Sequence, residues 1–297
     1  MKKISLFKPI FLMVIALANS SWANPSWAKV NVVASFSILG DMVAEVAGDK
    51  AHVTTIVGPD ADAHLYQPNT GDAVAVAKAD LVIVNGLGFE TWSAQLIKTS
   101  GTKATIAVAT DGITPLLVEG AVDPHAWNSL TNGMIYVNNI EAALSAASPQ
   151  DAAYFKANAN AYRAQMMALH NRALADITTL PEGKRIVVTA HDAFGYLADA
   201  YGLTFLAPQG IDTEAEPSAK ELAALIAFLN EQGAGALFVE NIANADLIEQ
   251  ISRETGIKIG GRIYSDALSV KGSPATSYLA MFAHNLDVLT TTLAASK

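Results

Sequence analysis

The chain contains no cysteine, so any metal or nucleophile chemistry must rest on other side chains. Six histidines are present, and their settings divide them. His52 begins a strand-like run, His170 lies beside the apolar stripe of a long helical segment, and His284 falls inside the terminal helical segment. These three read as surface or core-edge residues. His64, in "GPDADAHLYQP", His125, in "VDPHAWN", and His191, just after "RIVVTA", instead lie in loops that follow strands. Pro124 fixes its own backbone and disfavours a helical conformation at Asp123, so His125 is presented from a constrained turn. Asp266, in "RIYSDAL", follows the last predicted strand. In open α/β sheets, ligands gather at the carboxyl ends of strands. Three imidazoles and one carboxylate, two donors from each half of the chain, form a closed tetrahedral set of the kind zinc accepts. Imidazole also serves manganese, copper and nickel, so the donors alone do not name the ion.

The elements that must position these donors alternate. Val30–Ala34, His52–Val57, Leu81–Val84 and Lys103–Val108 read as strands. Between them Ile38–Ala47, Ala73–Ala79 and Thr91–Lys98 have helical spacing. That alternation predicts a parallel sheet covered by helices. From Ser148-Pro149 to Thr178 there is no glycine or proline, and Phe155, Ala159, Tyr162, Met166, Leu169, Ala173 and Ile177 recur at steps of three and four. One amphipathic helix of about 30 residues, roughly 45 Å long, is expected there. Strands at Arg185–Ala190, Leu203–Leu206, Ala236–Glu240 and Ile257–Ile263 then alternate with helices at Phe194–Tyr201, Ala219–Gln232 and Ala245–Glu254. Pro274 opens a last helix, Ala275 to about Leu293. The expected organisation is a signal peptide over 1–23, an α/β lobe over 24–147, a linker helix over 148–180 and a second α/β lobe over 181–297.

Lys2, Lys3 and Lys8, an apolar run from Ile10 to Ala18, and the small-x-small sites Ser21-Trp22-Ala23 or Ser26-Trp27-Ala28 mark a secretory leader. The run is too short for a membrane span. With no cysteine to carry a lipid, the expected location is periplasmic without a membrane anchor, and the expected state is a monomer. The net charge of −9 argues against nucleic acid and anionic membrane surfaces as partners. "NGLGFE" lacks the spacing and the Lys-Ser/Thr of a phosphate loop, and no serine elbow is present.

"DAHLYQP", "DPHAW", "TAHDAFGYLA" and "YSDAL" resemble, in order and spacing, the metal-binding segments of the zinc/manganese solute-binding proteins, the periplasmic receptors of metal-importing ABC transporters. The likeness covers nearly all of the exported chain. It implies two α/β lobes with small parallel sheets, joined by one rigid helix, with the metal in the cleft between them. It maps His64, His125, His191 and Asp266 onto the four ligand positions and makes a membrane permease the partner. Manganese-tuned members carry a carboxylate at the third position; His191 there resembles the zinc type. The His- and Asp-rich loop that many zinc receptors place before the second ligand is reduced here to "DGITPLLVEGAVDPHAW", without an extra histidine.

The reading from sequence is therefore a receptor for a divalent metal, Zn(II) before Mn(II), and not an enzyme. A zinc hydrolase would use three histidines with Asp266 as base; a third alternative is a binding protein for a metal chelate. Asp62 and Asp123, each two residues before a histidine, read first as turn residues and second as outer partners of the imidazoles. Glu240, at a strand end, is the candidate outer carboxylate. Tyr66 and Trp127 are expected to shield the cleft, Asp192 to start a helix, and Glu214 and Glu216 to be solvated. Affinity is expected to fall below about pH 6, where free imidazoles take up protons.

Overall fold

The computed structural model describes residues 28–232 and 234–296. The signal peptide expected over 1–23 lies outside the described residues. Strand β1 (Val30–Phe36) runs directly into helix α1 (Ser37–Ala47), followed by β2 (Ala51–Val57), α2 (Thr70–Ala77), β3 (Leu81–Val84), α3 (Ser93–Ser100) and β4 (Thr105–Val108). These four strands pair in parallel in the order β2-β1-β3-β4. All four residues of β3 are buried, which is why that strand reads as an unbroken apolar run.

A hairpin of β5 (Leu117–Val118) and β6 (Ala121–Val122) precedes the "DPHAW" turn. Glu119 and Gly120 both take positive φ at its tip, 50° and 88°, as a two-residue turn between right-twisted strands requires. Helix α4 (Leu130–Ala147) follows and packs against α5 (Ala152–Thr178). The long helix thus has 27 residues, with Pro149–Asp151 forming a separate tight turn before it. Phe155, Ala159, Tyr162, Met166, Ala173 and Ile177 are buried as their spacing demands, and Leu169 packs at the core's edge. The second half comprises β7 (Ile186–Val188), α6 (Gly195–Tyr201), β8 (Thr204–Leu206), α7 (Ala219–Gln232), β9 (Ala236–Glu240), α8 (Asp246–Thr255), β10 (Ile259–Ile263) and α9 (Tyr278–Ala295). Its strands are also parallel, in the order β10-β9-β7-β8. The architecture is the expected α/β one of two small parallel sheets with a long helix between them.

Helix α4 was not among the expected elements. Gly133 in its interior disfavours a helix by about 1 kcal/mol relative to alanine, and Asn138-Asn139 breaks its polarity pattern. The glycine has a packing reason: a Cβ there would stand 2.6 Å from the Tyr278 hydroxyl. That hydroxyl donates to the carbonyl of Trp127, 2.6 Å away. One buried cluster runs from Val32 and Phe36 through Trp127 and the α5 stripe to Phe238 and Leu289. The two sheets therefore share a core through α1, α5 and α9, which limits how far they can separate.

Candidate metal centre

Each of the four candidate donors follows the carboxyl end of a strand or the hairpin, and the two sheets face each other there. His64 lies in the loop after β2. Asp62 Oδ1 accepts its backbone N–H at 2.8 Å, and Trp92 Nε1 donates to the Ala63 carbonyl at 2.9 Å. The His64 ring meets Phe89 edge-on, with centroids 4.9 Å apart. His125 follows β6. Asp123 Oδ1 accepts its backbone N–H at 2.9 Å and lies 2.8 Å from its Nδ1. Asn85 Nδ2 donates to the Pro124 carbonyl at 3.0 Å, while Asn85 Oδ1 accepts from the Tyr136 hydroxyl.

His191 follows β7. Because β9 is the neighbour of β7, Glu240 at the end of β9 reaches it. Glu240 Oε1 accepts the backbone N–H groups of Ala190 and His191 at 2.9 and 3.0 Å. Its Oε2 lies 2.7 Å from His191 Nδ1. Asp266 follows β10, and Trp127 Nε1 from the opposite half donates to the Ser265 carbonyl beside it at 2.8 Å.

The four side chains converge, with one donor atom of each within 4.8 Å of all the others. Asp266 Oδ2 is 3.1 Å from His191 Nε2, 3.2 Å from His64 Nε2 and 3.7 Å from His125 Nε2. Where Asp123 and Glu240 hold Nδ1 protons, the Nε2 lone pairs of His125 and His191 point inward. His125, His191 and Asp266 are fully buried, whereas His64 is 8% exposed; an ion would approach from the His64 side. Burial pushes the His125 imidazole down, but Asp266 and Asp123 outweigh it and raise its pKa to about 9. Burial likewise acts against the His191 cation, and Glu240 with Asp266 overrides it, leaving the pKa well above the ordinary value. Burial would raise Asp266; the two imidazoles hold it well below the usual carboxylate range. The only contacts within ion-pair distance of Asp123, Glu240 and Asp266 among the described residues are histidines. Three buried carboxylates without a lysine or arginine call for a cation.

His52 is exposed on β2, His170 Nδ1 sits 3.0 Å from the Tyr201 hydroxyl, and His284 Nε2 reaches the Arg262 carbonyl; none joins the cluster. Asp62 keeps its turn role and also accepts from Thr213 Oγ1 across the cleft at 2.6 Å. Asp123 takes both roles considered for it. Trp127 is buried between Phe36 and Phe89, with centroids 4.9 and 4.7 Å away, rather than placed at the cleft mouth. Tyr66 is half-buried against Trp92 and donates to Asp72. Asp192 precedes α6 by too far to cap it, and Glu214 and Glu216 are exposed. Asn85 and Ser265, which fix two donor loops, carry no local sequence signal of that role.

Glu240→Gln retains one carbonyl-type oxygen and loses the charge beside His191 Nδ1. The expected result is a metal affinity weaker by about 10–100-fold, read by competition with a chelating dye, with the fold retained by circular dichroism.

Residues 32–292 match the family described as zinc-uptake complex component A periplasmic, ZnuA. The chain belongs to this family. Its relatives include the manganese-binding lipoprotein MntA of Halalkalibacterium halodurans, 32% identical over 93% of this chain and 94% of that one. The iron ABC transporter substrate-binding lipoprotein MtsA of Streptococcus pyogenes serotype M6 is 35% identical over 99% of both chains. Among solved structures, the periplasmic zinc binding protein TroA from Treponema pallidum superposes with a TM-score of 0.86 at 29% identity, covering 90% of this chain and 99% of that one. The ZnuA-family chain is accordingly a metal-binding receptor component of an ABC transporter and not an enzyme. One expectation is corrected by these names. The periplasmic location without a lipid anchor rested on the absence of cysteine, and it does not stand against relatives that are lipoproteins over nearly their whole shared length.

Proposed function

We propose that the protein captures one divalent transition-metal ion between His64, His125, His191 and Asp266 and delivers it to the membrane permease of its transporter. The observation that carries this reading is the convergence of those four donors from two sheets, with carboxylates braced behind two of the imidazoles. Zinc is the preferred ion, because three imidazole nitrogens and a carboxylate suit its borderline character and tetrahedral habit. Manganese is the second reading, and one feature favours it: Asp266 Oδ1 is buried without a partner. That oxygen is free to join as a fifth ligand, and manganese is better served by carboxylate oxygen than zinc is. We take 24–147 and 181–297 as the lobes and 148–180 as the connecting helix, with the receptor acting as a monomer. Metal binding then favours the closed arrangement by its differential affinity for it.

The test is elemental analysis after equilibrium dialysis of chelator-stripped protein against zinc and manganese, alone and together, beside His125→Ala. The expected result is one ion per chain, zinc in the mixture, and little or none in the variant. Manganese retained against zinc would transfer the assignment to manganese. No ion in the wild-type protein, or equal binding by the variant, would overturn the site.

A further inference from the structure

Asp60 stands at φ 54°, in the left-handed region, and is exposed. Aspartate tolerates that conformation better than most residues, at some cost. Its amide N–H and both carboxylate oxygens are nevertheless engaged, all toward the opposite lobe. The Asp60 N–H donates to the Leu268 carbonyl at 2.8 Å. Oδ2 accepts the Val270 N–H at 3.1 Å, and Oδ1 accepts from Asn241 Nδ2 at 3.1 Å. Asn241 Nδ2 also donates to the Ala267 carbonyl at 3.2 Å.

The chain positions give these bonds their meaning. Asp60 begins the loop that carries His64. Ala267, Leu268 and Val270 follow Asp266. Asn241 follows Glu240, the carboxylate behind His191. One side chain thus ties together the three loops that hold His64, Asp266 and the brace of His191. Any opening that carries His64 away from Asp266 must break this knot. Of the other bonds across the cleft near it, Trp127 Nε1 to Ser265 and the Leu268 N–H to Ser37 Oγ are buried, and Thr213 Oγ1 to Asp62 Oδ2 is half-buried. The Asp60 bonds lie at the wet rim, where water can replace each one as it breaks.

We propose that Asp60 is a clasp: a positioning residue that sets how long the captured ion stays, by holding the His64 loop shut on the Asp266 and Glu240 loops. The proposal rests on the metal-receptor reading above. The left-handed backbone supplies the aim, turning the amide and the carboxylate toward the same partner loop.

Asp60→Gly tests it without stressing the backbone, because glycine accepts positive φ freely. It removes the two side-chain bonds and keeps the amide bond to Leu268. Zinc-loaded protein is mixed rapidly with excess chelator and the release rate is followed, with zinc content measured before mixing. The expected result is full loading and release about tenfold faster, the equivalent of one or two modest hydrogen bonds. Asn241→Ala gives a smaller acceleration, and the double variant releases more slowly than the product of the single effects predicts. A merely structural role would lower loading and leave the release rate of the loaded fraction unchanged; that result, or a rate within twofold of wild type, overturns the clasp while the receptor reading stands. Wild-type protein that takes up no zinc or manganese overturns both.

Discussion

Asp266→Asn is expected to lose metal binding by roughly two to four orders of magnitude. The asparagine keeps the shape and removes the only anion among the four donors. Its carbonyl oxygen is a weaker ligand, and its amide hydrogens compete for the space that the three Nε2 atoms face. Removing one member of a buried charge pair costs about 3–5 kcal/mol, and about 1.4 kcal/mol is a factor of ten. A competitive titration with zinc measures the loss. Wild-type affinity in this variant would remove Asp266 from the ligand set. The metal-free variant should change as well. Asp266 is held well below the usual carboxylate range by His125 and His191, despite its burial. A depressed carboxylate contributes stability that is present above its ordinary pKa and lost only as pH falls through the lower folded value. At neutral pH the wild-type protein has that contribution in full and the asparagine variant has none. The metal-free variant should therefore melt below the metal-free wild type at pH 7, and the gap should narrow in strong acid.

The placing of the four candidate donors at one edge was legible because strand ends are legible. An apolar run that stops, followed by a loop histidine, marks the sheet edge where His64 and His191 sit, and the proline turn marks His125. Their outer partners were legible only when local. Asp123 is two residues from His125, yet the spacing alone could not separate a turn aspartate from an imidazole partner, and one oxygen turns out to serve both. Glu240 is far from His191 in the chain, and the two meet because β9 pairs beside β7; strand order is not written in periodicity. Trp127 looked like a cleft residue because it neighbours His125, but its ring is a core residue whose Nε1 crosses to Ser265. Helix α4 was hidden by Gly133, whose reason is a hydroxyl on a helix near the other end of the chain. Asp60 gave no signal at all, since a left-handed aspartate in a turn and a solvated one have the same sequence.

The pH dependence of binding should begin well above the value that free histidine suggests. Metal and proton compete for the same Nε2 atoms. His125 is raised to about 9 by Asp266 and Asp123 against the opposing effect of burial, and His191 is raised by Glu240 and Asp266 in the same way. Below about pH 9 the proton that His125 must shed costs about a factor of ten in apparent affinity per pH unit, and His191, raised in the same direction, adds its own proton to the competition. The expected profile is a fall that starts near pH 9 and steepens toward about two decades per unit as both imidazoles carry protons. The expectation of a break at about pH 6 therefore moves upward, because the same buried carboxylates that suit a metal dication also suit a pair of imidazolium ions. Calorimetry in buffers of different ionisation enthalpy should count about two protons released per ion near pH 7. The metal-free protein should show the opposite trend. A histidine whose folded pKa is raised contributes stability that is complete below its ordinary pKa and lost as pH rises through the folded value. Melting of the metal-free protein should accordingly fall between about pH 6.5 and pH 9, the window in which metal affinity climbs. Flat affinity from pH 9 to pH 7 with no proton release would mean that the carboxylates do not hold protons on these rings. Release of two protons would show that the receptor exchanges one dication for two protons, so that acid at the membrane face is itself a force for letting the metal go.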